Sequence, residues 1–181
     1  MARLILVNGA PGSGKSTIAH ALAQETPMSL ALEIDTIKHS LGRWDDDSQA
    51  SGLHARRLGL VLAGEHLAAG LDVVIGQYVA RAAFIEQLEE LADLHVAEFH
   101  ELVLDLDAVA LARRLARRAG DPTRREHGVN NQLVGPEDAP ALVQSIGKLL
   151  LSRPLAHRVD ARGSLSATLT RVRAALEKAP K

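Results

Sequence analysis

The stretch Leu4-Ile5-Leu6-Val7-Asn8-Gly9-Ala10-Pro11-Gly12-Ser13-Gly14-Lys15-Ser16-Thr17 decides how the rest of the chain is read. Leu4 to Val7 is apolar without alternation, as expected of a strand buried on both faces of a parallel sheet. Gly9 to Ser16 then matches the pattern G-x-x-x-x-G-K-[ST]. Gly9, Gly12 and Gly14 let the backbone wind tightly and aim successive N–H groups, including those of Ser13 and Thr17, at phosphate oxygens. Lys15 opens an Ala-rich helix that runs to Gln24 and is closed by Pro27. The helix N-terminus adds positive potential, Lys15 reaches β- and γ-phosphates, and the Ser16 hydroxyl is placed for Mg²⁺.

Beyond that stretch, apolar runs and helical segments alternate. Strands are expected at Ser29–Ile34, Asp72–Ile75, Phe99–Leu106 and His157–Asp160. Helices are expected over Leu53–Ala69, Arg81–Leu94, Ala108–Ala119, Glu137–Leu151 and Leu165–Lys178. Residues 42–52, with the acids Asp45 to Asp47, read as a loop, as does the stretch from Gly120 to Pro136. The alternation predicts an α/β fold with a parallel sheet covered on both faces, in one domain over residues 1–181. Ligands in such sheets bind at the carboxyl ends of the strands. Those ends hold Gly9, Asp35, Gly76-Gln77 and Asp105 to Asp107, so these residues are expected to share one cleft.

Composition narrows the classes. The chain has 181 residues, 46 % hydrophobic, enough for a sizeable core, but only 2 % aromatic, too few for a base-stacking surface. A net charge of −1 gives no whole-chain argument for nucleic acid, and no Cys rules out disulfides and thiolate chemistry. The eight His residues lack metal-site spacing. The N-terminal apolar run is too short for a signal segment or a membrane span, so a cytoplasmic protein without membrane contact is expected.

No Asn-Lys-x-Asp segment follows an apolar strand, which argues against a guanine-reading GTPase. The first aspartate after the phosphate loop is Asp35, expected at the end of the neighbouring strand. There it can take or orient the proton of a hydroxyl facing a γ-phosphate, or else cap the helix beginning Thr36-Ile37-Lys38. Arg113, Arg114, Arg117, Arg118, Arg124 and Arg125 crowd one segment with little acid to balance them. Arg114 and Arg118 lie a turn apart at the edge of the stripe Ala108, Leu111, Leu115, with Arg113 and Arg117 further toward solvent. Arg118 is the first choice as a phosphate clamp, with Arg114 and Arg124 behind it. Arg43, Trp44, Gln77 and Arg81 are candidate acceptor-side residues.

The segment Leu4–Leu22, the Ile34-Asp35 pair and the basic segment after Ala108 resemble the small P-loop kinases. The pattern is most similar to chloramphenicol phosphotransferase-like, zeta-toxin-like and gluconate-kinase-like proteins, often grouped as AAA domain ATP-binding proteins. The resemblance implies a three-layer P-loop fold, a five-stranded sheet in the order 2-3-1-4-5 and an Arg-rich lid over about residues 108–136. It also implies that Asp35 stands where the phosphotransferase-like members keep a catalytic carboxylate. One departure is that Val73-Val74-Ile75 runs into Gly76-Gln77 without the acid many P-loop proteins use for Mg²⁺. Ser16, the phosphates and Asp35 would then hold the metal, or Asp105 or Asp107 would contribute. The expectation is an ATP–Mg²⁺ phosphotransferase acting on a hydroxyl of an antibiotic, sugar or nucleoside. The rival readings are a nucleotide or polynucleotide kinase and a non-enzymatic ATP-dependent switch.

Overall fold

The computed structural model describes residues 1–119 and 134–178. Five strands form one parallel sheet: β1 (Arg3–Asn8), β2 (Leu30–Leu32), β3 (Val73–Gln77), β4 (Glu98–Asp105) and β5 (His157–Asp160), in the order β2-β3-β1-β4-β5. Its register sets Asn8 beside Gln77 on one flank and beside Val103 on the other. The phosphate loop therefore leaves the middle of the sheet, with the β3 end immediately next to it.

Seven α-helices accompany the sheet among the described residues: α1 (Lys15–Ala23), α2 (Ile34–His39), α3 (Ser48–Ala68), α4 (Ala82–Leu94), α5 (Ala108–Ala119), α6 (Ala139–Ser152) and α7 (Leu165–Lys178). Alternation along β1 sorts the core into two layers. Ile5 and Val7 pack with Ile18, Leu22, Leu111, Leu115 and Val172, beneath α1, α5 and α7. Leu4 and Leu6 pack with Ala63, Leu67, Phe84, Ile85 and Leu88, beneath α3 and α4. Both faces are covered, which explains why Leu4–Val7 of β1 and Val73–Ile75 of β3 read as unbroken apolar runs.

Of the boundaries that differ from the sequence reading, three shape the surroundings of the phosphate loop or the helices beside it. β2 has only three residues, and Asp35 lies in the first turn of α2 rather than at a strand end. Glu33 occupies the N-cap position, so Asp35 is not the cap. Helix α3 starts at Ser48 instead of Leu53, because Asp47 Oδ1 accepts from Gln49 N at 3.1 Å and Ala50 N at 2.9 Å. A 3₁₀ turn at Pro136–Asp138 precedes α6, which starts two residues later than expected. No helix of the described residues is long and apolar enough to cross a membrane.

Candidate active site

The phosphate loop and the first turn of α1 are shaped by two left-handed glycines and two close approaches. Gly12 and Gly14 adopt φ of +83° and +94°, the left-handed region that glycine enters without steric cost. A Cβ on Gly12 would stand 2.9 Å from Leu115 Cδ2, so the loop rests directly on α5. A Cβ on Gly76 would stand 3.0 Å from the Ser16 Cα, so β3 passes against the first turn of α1. An acid cannot replace Gly76 without pushing that turn away, which gives a packing reason for the departure at this strand end.

The loop cradles a cavity of about 250 Å³, lined by Gly12, Gly14, Lys15, Ser16 and Thr17. Glu33, Asp35, Thr36 and His39 of the α2 segment close one wall, Gly76 and Gln77 another, and Arg114 and Arg118 of α5 a third. Gly9 sits behind the loop against Ser13 and Leu104, and Ser13 is buried beneath it. Lys15 is partly buried here, and burial lowers its pKa to about 8. Asp35 and Glu33 oppose that shift, whereas the charge of Arg118 adds to it. Burial also pushes the Arg118 guanidinium below its ordinary range. Two cations so arranged favour a polyanion between them.

Arg114 has a further structural task. Its Nη1 donates to Ser13 O at 2.7 Å, and its Nη2 donates to Gly163 O at 3.0 Å and to Ala161 O. One guanidinium thus ties the phosphate loop to the turn between β5 and α7. Arg124 lies outside the described residues, as does the rest of the expected lid from 120 to 133.

Two further cavities adjoin the cradle. One of about 610 Å³ shares Gly12, Gly14, Thr17, Arg114 and Arg118 with it and extends along Gly163, Ser164 and Leu165. The other, about 630 Å³, shares Asp35 and Gln77 and extends between α2, the start of α3 and the segment Tyr78–Phe84, Arg81 included. Asp35 thus stands at the border between the phosphate cradle and an open chamber.

The remaining candidates fall elsewhere. Arg43 is exposed, pairs with Asp46 at 2.5 Å and lines none of the three cavities. Trp44 lines none either; its ring packs on His39, with centroids 4.6 Å apart, and lies 4.9 Å from Lys38 Nζ. It therefore supports cavity-lining residues without facing the cavities itself. Asp105 pairs with Arg158 at 2.8 Å, and Asp107 accepts from Ala110 N at 2.8 Å at the start of α5. Neither faces the cradle.

Sequence reading did not single out Glu33, Thr36, Lys38 or Arg56 as site residues. Asp35 and His39 are four apart, so a helical reading of 34–39 would have put both on one face. The lining offers a hard cation oxygen donors: the Ser16 hydroxyl and the carboxylates of Asp35 and Glu33. That donor set fits a Mg²⁺ that keeps most of its waters and is held largely by phosphates. No cluster of three or more metal-ligating side chains occurs among the described residues.

Fold and cradle together define a P-loop nucleotide-binding protein. The chain belongs to the AAA domain family, whose sequence model matches residues 4–134. Among solved structures, it is similar to a gluconokinase from Sinorhizobium meliloti 1021, at 20 % identity and a TM-score of 0.64, covering 97 % of this chain and 92 % of that one. It is also similar to a protein from Chloroflexus aurantiacus J-10-fl provisionally assigned as a kinase, at 20 % identity and a TM-score of 0.65, covering 99 % and 98 %. At that identity the likeness speaks for the fold. No curated protein matches the sequence.

Proposed function

We propose that this protein transfers the γ-phosphate of ATP to a hydroxyl group of a small molecule. The observation that carries the reading is the position of Asp35, which lines both the phosphate cradle and the neighbouring chamber. A pure nucleotide switch needs no second chamber opening onto its phosphates. The similar protein from Sinorhizobium is a gluconokinase by name, which agrees with a small-molecule acceptor.

In this mechanism the nucleoside half lies along Gly163–Leu165 and the triphosphate follows the loop amides to Lys15. The acceptor hydroxyl enters past Gln77. Asp35 orients it and receives its proton as the acceptor oxygen bonds to the γ-phosphorus. The bond between that phosphorus and the β,γ-bridging oxygen breaks, and ADP leaves. Lys15 and Arg118 offset the charge that spreads over the transferring group. Mg²⁺, held by Ser16 and the phosphates with help from Asp35 or Glu33, would supply further charge neutralisation.

The test is ADP release with ATP–Mg²⁺ in the presence and absence of hydroxyl compounds, on wild type and Asp35→Asn. Acceptor-stimulated release lost in Asp35→Asn, with nucleotide binding retained, supports the reading. Release that no acceptor stimulates turns it toward the switch, and normal transfer by the variant removes Asp35 from the mechanism.

A further inference from the structure

The chamber beyond Asp35 has a charge pattern that names the class of its occupant. Lys38 from α2, Arg56 from α3 and Arg81 from the start of α4 line it, and Asp35, at the cradle border, is its sole acidic lining residue. Several other arginines are paired with acids: Arg3 with Asp72, Arg153 with Glu89 and Glu101, Arg162 with Asp160, Arg173 with Glu25. Among the described residues, no carboxylate lies within ion-pair distance of Lys38, Arg56 or Arg81.

Two nearby acids are already engaged. Asp47 caps α3, and Asp46 holds Arg43. Two of the cations are held by neutral partners instead. Lys38 Nζ donates to Ser48 Oγ at 2.6 Å and stands over Trp44, and Arg56 Cζ stands 5.5 Å from the centroid of Phe84. Aromatic faces steady a cation without neutralising it, so its charge remains available to a ligand. The same lining carries Ser48, Gln49, Gln77 and Tyr78, which can bind hydroxyl groups, so the chamber offers an anion-binding side as well as a hydroxyl-binding one.

We infer that the acceptor is a small anionic hydroxyl compound whose carboxylate or phosphate is held by Lys38, Arg56 and Arg81 while its hydroxyl faces Asp35. This rests on the phosphotransfer reading for the hydroxyl, though the anion subsite can be tested without it. Arg suits both anions through paired N–H donors.

The experiment uses three- to six-carbon polyols, each matched with its carboxylate and its phosphate monoester. Calorimetry without nucleotide reads binding, and ADP release reads transfer. The expected result is that one acid series binds and serves as acceptor while the neutral polyols do neither; which series does so identifies the anion. Arg81→Gln, at an exposed residue, and Arg56→Gln are each expected to raise KM for that acid roughly ten- to hundredfold, with kcat and nucleotide affinity little changed. Neutral polyols that work as well as the acids would overturn the inference. So would acid binding unchanged in the Arg56→Gln/Arg81→Gln double variant, or preference for the 5′-hydroxyl of an oligonucleotide. Acid binding that depends on these arginines, without transfer, would sink the phosphotransfer reading and leave the anion subsite standing.

Discussion

The side chain of Asn8 clamps the backbone of Val79 from both sides. Nδ2 donates to Val79 O at 2.9 Å, and Oδ1 accepts from Val79 N at 2.9 Å and from Gly9 N at 2.7 Å. Asn8 is fully buried, at the last residue of β1, so one amide joins the start of the phosphate loop to the segment after β3 that follows Gln77 and carries Tyr78. Removing it leaves buried backbone groups without partners, each costing about 1–3 kcal/mol. Asn8→Leu is therefore expected to lower stability by about 2–4 kcal/mol. Because the clamp positions the chamber wall, folded variant should show acceptor KM raised more than nucleotide Kd. Equal losses in both would mean that the clamp serves stability alone.

Lys15 makes nucleotide binding sensitive to pH. Burial holds its pKa near 8 in the free protein, and phosphate oxygens would raise it. Below about pH 8 the ammonium is already charged and binding takes up no proton at this group. Above pH 8 binding must protonate it, so affinity falls by up to about tenfold per pH unit until the pKa of the complex is reached. Calorimetry in buffers of different ionisation enthalpy should find proton uptake approaching one proton above pH 8. An affinity that stays flat from pH 8 to 10, without uptake, would contradict this account. The sign for folding follows from the same shift: the lowered pKa disfavours the folded state below pH 8, and that penalty fades as pH rises toward 10.5.

The two edge arginines of α5 should separate by phenotype. Arg114 spends donors on Ser13, Ala161 and Gly163, so Arg114→Met loosens the phosphate loop from the β5–α7 turn. A stability loss of about 2–3 kcal/mol is expected, with weaker nucleotide binding. Arg118 lines the cradle beside Lys15, so Arg118→Met is expected to lower kcat by about 10²–10³. Urea unfolding and steady-state kinetics on the two variants check both. A catalytic loss in Arg118→Met no larger than in Arg114→Met would argue against the clamp.

These contrasts show what could be read from sequence. The cradle was legible because a fixed spacing of glycines, lysine and serine imposes its own backbone, and β1 and α1 flank it at once. Strand order agreed with the resemblance, and β1 and β3, in the middle of the sheet, are runs buried on both faces. Asp35 was harder: Ile34, beyond Glu33, reads as a further strand residue, yet it turns into α2 to pack its Cδ1 against Gly59. That Arg114 also ties the loop to the β5–α7 turn was not legible, because local spacing cannot reveal carbonyls 47 and 49 residues away. The chamber's cations come from three separate helices or their caps, so only the fold collects them.

Gly76 supplies the last test, because its role can be separated from mere flexibility. A Cβ there would meet the Ser16 Cα at 3.0 Å, Ala19 Cβ at 3.0 Å and Lys15 O at 3.2 Å. Two of these belong to backbone, which cannot step aside as a side chain can. Gly76→Ala must therefore widen the gap between β3 and α1, and a cost of about 1–3 kcal/mol is expected. The same displacement moves Ser16 and Lys15 away from the phosphates, so Mg²⁺–nucleotide affinity should fall with it. Gly147, inside α6, has no atom within 4 Å of an added Cβ. Gly147→Ala should instead stabilise by about 0.5–1 kcal/mol and leave nucleotide affinity unchanged. Thermal unfolding and nucleotide titration of the two variants compare one residue type in two settings. If Gly76→Ala bound nucleotide like Gly147→Ala, the close passage of β3 would not be what holds the cradle in shape.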